Sequence, residues 1–176
     1  MKNASQHVLD DSSIILGVDP GTRISGYGVI GMKNHAYLPI DYGCIRPPPT
    51  FKLSERYLVI FESICELIDK HRPTVLVVET QFVHKNVQSA IKLGMARGVV
   101  IIAAKKKGLS VYEYTPCVAK RAVVGNGRAS KFQVQGMVQR LLKLASPPEP
   151  EDAADALALA ICHAHTAIHL RERQEV

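Results

Sequence analysis

Hydrophobic residues in this chain come in two rhythms. Short, nearly continuous apolar runs, IILGV (residues 14–18) and VLVV (75–78), suit strands buried on both faces, while ISGYGVI and AYLPIDYGCI suit two further strands. Pro20-Gly21 and the stretch from Gly31 to Asn34 supply turns between the first three, and Arg46-Pro-Pro-Pro-Thr50 breaks the pattern. From Phe51 to His71 the period changes: Leu53, Tyr57, Ile60, Phe61, Ile64, Leu67 and Ile68 recur at helical spacing, and Arg72-Pro73 stops the helix.

Beyond the strand TVLVVE (74–79), Asn86 is a candidate cap for a long helix through Lys107, closed by Gly108. SVYEY (110–114) predicts a strand and is followed by a short helix to Val124. GNGRAS (125–130) predicts a flexible loop, and helices over 130–144 and from about Glu151 onward complete the chain. The order β-β-β-α-β-α-β-α-α-α predicts an α/β fold with a mixed central sheet flanked by helices. No repeat or linker divides it. The expected organisation is a disordered lead-in over 1–13, one domain over 14–170 and a flexible end over 171–176.

Length and composition agree with this reading. The 176 residues suit one domain that buries most of its unfolded surface. No apolar run approaches the ~20 residues of a membrane span, and MKNASQHVLDDSS lacks the apolar stretch of a secretory signal. No membrane partner is therefore expected. Cys44, Cys65, Cys117 and Cys162 are scattered, which predicts reduced thiols and a cytoplasmic setting rather than a disulfide framework or a zinc site. His165 and His169 share a helix face, where a solvated helix end is expected rather than a metal site. The net charge of +6 leans toward polyanionic partners without proving one.

Four acids change the picture. Asp19 ends the first strand, and Glu79 ends TVLVVE. In an open α/β sheet the carboxyl ends of neighbouring strands frame the crevice where ligands bind. Asp152 and Asp155, spaced i, i+3, project from one face at the start of a helix rich in Ala, Leu and Ile. Each acid alone has an ordinary explanation in turn chemistry or in the helix dipole. Four together, with no basic partner, would repel one another and raise one another's pKa. A pair of divalent cations removes that conflict, and carboxylates are preferred ligands of Mg²⁺ or Mn²⁺. Two ions roughly 3.5–4 Å apart promote in-line phosphodiester displacement.

Four segments carry a resemblance: LGVDPGTRISGYGVI, VVETQFVHKNVQSAIKLGMARGVVIIAA, VYEYTPCVAKRAVVGNGRASKFQVQGMV and DAADALALAICHAH. In order and in register, from about Ile14 to His165, the chain resembles RuvC, the bacterial Holliday-junction resolvase family. The resemblance implies a ribonuclease H-like fold and a homodimer that nicks opposed strands of a four-way DNA junction with Mg²⁺. Two ions per site are expected, Mn²⁺ being a substitute. It also implies cooperation with the junction-binding and branch-migration proteins RuvA and RuvB, in recombination and repair. The family's catalytic, metal-holding acids fall on Asp19, Glu79, Asp152 and Asp155. Two departures are a longer N-terminal lead-in and a fifth acid, Glu151.

Basic residues gather after the first two acids: Lys85, Lys92, Arg97, the Lys105–Lys107 run, and Lys120, Arg121, Arg128 and Lys131 around the glycine loop. The run at 105–107 is expected to complement a helix dipole. Lys120, Arg128 and Lys131 are expected to hold DNA, because glycines let the backbone approach phosphates and flanking cations neutralise them. The resemblance matches Lys120 and Lys131 to basic positions beside the scissile phosphate. Phe82 is either a core aromatic or a wedge stacked on an unpaired base at the junction centre, and the resemblance favours the wedge. The segment around Gly94, Ala96 and Gly98 is apolar on more than one face, which predicts both core packing and a dimer interface.

Three rivals remain. The acid–glycine hairpin also suits an ATPase of the actin/hexokinase type, although 176 residues leave no room for a second such lobe. A junction-binding module with vestigial acids and a ribonuclease H-like enzyme that cuts RNA hybrids are the others.

Overall fold

A computed structural model describes residues 13–33, 36–80 and 87–174, with side chains to 167. The expected lead-in therefore lies outside the described residues except for Ser13, which is buried and whose carbonyl accepts from Met32 N at 3.1 Å. Phe82 and Lys85 lie outside them as well.

Ten elements follow in the predicted order: β1 (Ile14–Asp19), β2 (Ser25–Lys33), β3 (Ala36–Ile45), α1 (Leu53–His71), β4 (Val75–Glu79), α2 (Val87–Lys106), β5 (Ser110–Tyr114), α3 (Pro116–Val124), α4 (Lys131–Leu141) and α5 (Glu151–Gln174). One sheet has strand order β3-β2-β1-β4-β5. β2 runs antiparallel to β1 and β3, whereas β1, β4 and β5 are parallel. β2 continues through Gly31 to Lys33, so Gly31 belongs to a strand rather than to the expected turn.

Strand alternation builds two cores. Leu16, Val18, Leu76 and Val78 face α1 and α2 and pack with Ile60, Ile64 and Val100. Ile15, Val75 and Val77 face the other way, toward Val134, Val138, Leu157 and Ile161 of α4 and α5. Asp19 and Glu79 continue the second parity and turn toward the α3–α5 side. Register makes them neighbours: Val18 pairs with Val78, and the next step brings Asp19 level with Glu79.

α5 reaches them because glycines clear its path. A Cβ on Gly17 would lie 2.1 Å from the Ala156 carbonyl oxygen, and one on Gly26 would lie 1.9 Å from that of Asp152. The helix backbone rests directly on β1 and β2, which places the first turns of α5 beside the end of β1.

α2 corrects one expectation. Its 20 residues make a helix long and apolar enough, by length and composition, to cross a membrane. Lys92 and Arg97 interrupt the apolar letters without lowering the average much, which is why no long run stood out. In the fold α2 packs on α1, β4 and β5. Its other face leaves Val87, Ile91, Met95 and Ile102 more than half exposed, with open space over Gly94 and Gly98.

Candidate active site

A cleft of about 230 Å³ opens at the carboxyl ends of β1 and β4. Asp19, Glu79 and Asp155 line it together with Lys120 and Lys131, over a floor that includes Ala119, Val134 and Ala158. Asp152 is not a lining residue, yet its charge acts on Asp19. Three of the four predicted acids thus share one cleft, and the fourth is near enough for its charge to act on Asp19.

Electrostatics show how tightly they are placed. Burial, reinforced by the charges of Glu79, Asp155 and Asp152, pushes the Asp19 carboxyl up to about 8, against a smaller opposing pull from Lys131. Burial and the charge of Asp155 push Glu79 up to about 7, opposed by Lys120 and Lys131. Burial also raises Asp155, while Lys131 and Lys120 pull it back.

The lysines are the second correction. The residue spacing alone gave the acids no basic partner, and only the resemblance matched Lys120 and Lys131 to positions beside the scissile phosphate. In the fold Lys131 Nζ lies 3.4 Å from Glu151 Oε2 and 3.6 Å from Asp155 Oδ2. Burial lowers the Lys131 pKa, but Asp155 and Glu151 more than offset it and the net shift is upward. Lys120 Nζ donates to the Ala129 carbonyl at 3.1 Å, which fixes it between the loop and the cleft.

Local sequence explains these positions. Thr115 caps α3 by accepting from Val118 N, and Pro116 opens it, so Lys120 falls one turn inside the helix. Ser130 and Gln133 form a capping box at α4, which starts the helix at Lys131. Gly125 takes φ 79° to end α3, a left-handed conformation that suits glycine. Arg128 is exposed on the same loop, where its backbone N–H donates to Asn126 Oδ1 at 3.0 Å, but it is not a lining residue of the cleft.

Other candidates fall elsewhere. Arg97 pairs with Glu113 of β5, and Lys107 pairs with Asp69 of α1. His165 is exposed, and the His169 side chain lies outside those described. Missed by sequence reasoning was Phe132, 82% exposed directly after Lys131. Its signal was an aromatic residue between two polar ones at the start of an amphipathic helix.

Hard oxygen donors, crowded and raised in pKa at Asp19, Glu79 and Asp155 by burial and at Asp19 and Glu79 also by neighbouring acids, match in charge and chemistry what a divalent ion requires. Geometrically the match is looser: among the described residues, no three acid, histidine or cysteine side chains already surround one ion position. The Lys131 ammonium among the acids is the visible counter-charge.

The mixed sheet flanked by helices, with acids at the carboxyl ends of adjacent parallel strands, is a ribonuclease H-like fold. The family model described as crossover junction endodeoxyribonuclease RuvC matches residues 15–163. A crossover junction endodeoxyribonuclease RuvC from Protochlamydia amoebophila is 65% identical over 95% of this chain and 99% of its own. One from Desulfitobacterium hafniense is 50% identical over 87% and 93%. A solved structure described as T. thermophilus RuvC in complex with Holliday junction substrate superposes with TM-score 0.83 at 35% identity, covering 88% of this chain and 94% of that one. The chain belongs to the RuvC family of crossover junction endodeoxyribonucleases, whose nucleases depend on metal ions.

Proposed function

We propose that this enzyme resolves four-way DNA junctions by hydrolysing phosphodiester bonds at the cleft between β1, β4 and α5. The observation that carries this reading is the convergence of Asp19, Glu79 and Asp155, with Asp152 beside them, at one end of a sheet whose family acts on crossover junctions. The four carboxylates are its metal-holding residues. Mg²⁺ is the expected ion, two per site, with Mn²⁺ as a substitute. When bound, such ions supply Lewis acidity toward the phosphate and activation of the attacking water.

The chain's own residues do the rest. Lys120 and Lys131 neutralise the phosphate that enters the cleft. The strand ends hold Asp19 and Glu79 rigidly, and α5 presents Asp152 and Asp155 from its first turns. Arg128 on the glycine loop contacts the neighbouring backbone. Phe82, outside the described residues, retains its proposed role as a wedge at the junction centre.

Paired cuts on opposed strands need two sites related by a two-fold axis. The outer face of α2, with Val87, Ile91, Met95 and Ile102 around open glycines, supports a homodimer built on that helix. RuvA and RuvB are the expected partners, and the cytoplasm the expected compartment. The test is nicking of a synthetic four-way junction against linear duplex, with and without Mg²⁺. Symmetric nicks in the junction alone support the reading, and equal cutting of linear duplex rejects it.

A further inference from the structure

On the α1–α2 side of the sheet lies a second cleft, of about 520 Å³, whose lining includes Thr22, Arg23, Phe51, Arg56, Ser89 and Lys92. Among the described residues that line it there is no carboxylate. Residues carrying three cations, two hydroxyls and an exposed aromatic ring therefore line one open volume of mixed polarity.

Its walls are fixed independently of any ligand. The β1–β2 turn that carries Thr22 and Arg23 is pinned by Gly21 N donating to Ser25 Oγ at 3.1 Å and Ser25 Oγ donating to Gly21 O at 2.8 Å. Arg56 of α1 donates from Nε to the Phe51 carbonyl at 3.0 Å and from Nη2 to that of Pro49. Tyr57 OH donates to the Lys92 carbonyl at 2.9 Å, which joins the α1 wall to the α2 wall. Such a cation-lined, preorganised cleft is the ordinary chemistry of a nucleic-acid backbone site.

Distance along the chain ties it to the acid cleft. Thr22 and Arg23 follow Asp19 by three and four residues, a span of at most ~14 Å even if fully extended. With ~3.4 Å of rise per nucleotide, that is within about four nucleotides of the phosphate facing Asp19.

We propose that the Arg23–Arg56–Lys92 cleft is a second DNA-backbone subsite. It receives the strand leading away from the acid cleft, with the Phe51 ring against a sugar or base. These are positioning residues: by holding that strand they set which phosphate is presented to Asp19 and Glu79. The inference rests on the reading of the acid cleft as the nuclease centre.

The test compares Arg23→Ala/Lys92→Ala with the charge-conserving Arg23→Lys/Lys92→Arg, in the full chain. Arg56 is left in place because it also braces the loop before α1. Binding to a four-way junction is followed by fluorescence anisotropy without divalent metal across a salt series, and nick positions are mapped with Mg²⁺. The alanine pair is expected to bind about tenfold or more weakly at low salt, to show a log–log salt slope shallower by about 1.8, and to spread its nicks over neighbouring phosphates. The charge-conserving pair restores the slope. A wild-type slope in the alanine pair, or equal behaviour of the two pairs, overturns the subsite while wild-type nicking still supports the acid cleft. Failure of the wild-type chain to nick any junction overturns the nuclease reading and the positioning role with it.

Discussion

Lys131 Nζ stands 3.6 Å from Asp155 Oδ2, one of two lysines in a cleft that Asp19, Glu79 and Asp155 also line. It sits at the first position of α4 because Ser130 and Gln133 cap that helix there. Lys131 is counter-charge to the acids, and on the proposed reading it is counter-charge to the incoming phosphate as well.

Lys131→Gln keeps a polar side chain of similar reach and removes the charge. Junction affinity is expected to fall and the salt slope to become shallower by about one. Nicking at saturating DNA should drop by roughly 10²–10³-fold, the size of losing one positioned donor to transition-state charge. Anisotropy and nicking assays check both, and an unchanged salt slope removes Lys131 from the DNA surface.

Metal-free stability should depend on pH with a definite sign. Asp19 titrates at about 8 in the folded protein against an ordinary 3.8, so between those values the native state holds a proton that the unfolded chain has released. Stability therefore falls as pH rises through that window. Asp19→Asn removes the penalty and should raise the metal-free Tm at pH 8 by roughly 3–10 °C, with little difference at pH 4. Mg²⁺ should raise the wild-type Tm at pH 8 more than that of the variant. Calorimetry at the two pH values, with and without Mg²⁺, decides it.

Gly17→Ala tests the packing that places the site. Its Cβ would meet the Ala156 carbonyl at 2.1 Å, backbone against backbone, so α5 must move off β1. A loss of several kcal/mol is expected, since overpacking alone costs about 1–3 kcal/mol even where side chains can give way. Urea unfolding measures it, and a cost below ~1 kcal/mol would contradict the close approach.

Much of this was legible in the sequence, for identifiable reasons. The ten elements appeared because short apolar strand runs alternate with helical periods, and Arg72-Pro73 and Gly108 sit where helices stop. Asp19 and Glu79 were legible as a pair because strand parity and strand ends are local properties. Hidden were the features that depend on side-chain reach across elements. Lys131 among the acids could not be read from spacing, since α4 and α5 meet only in three dimensions. Arg23, Arg56 and Lys92 are far apart in the chain and share a cleft only because α1 and α2 cover one face of the sheet. The exposed stripe on α2 was anticipated as an apolar surface, but its polar interruptions hid its length.

That stripe makes a prediction about assembly. Met95 is 51% exposed on it, between Ile91 and Gly98. Met95→Glu is expected to convert a dimer to a monomer while leaving Tm within a few degrees, because the side chain leaves no core position. Light scattering at micromolar concentration checks the mass. An unchanged dimer would move the interface off α2.

The claim at the centre is that crowded carboxylates at the ends of β1, β4 and α5 are the catalytic metal site. It is tested most directly by single-turnover nicking of a synthetic four-way junction by wild type and Asp19→Asn, each saturated with DNA in Mg²⁺, with junction binding measured in parallel. The account predicts that the variant binds the junction within a few-fold of wild type and nicks it about 10³-fold more slowly or not at all, a loss of several kcal/mol of metal-assisted stabilisation. Nicking by Asp19→Asn at the wild-type rate would contradict it.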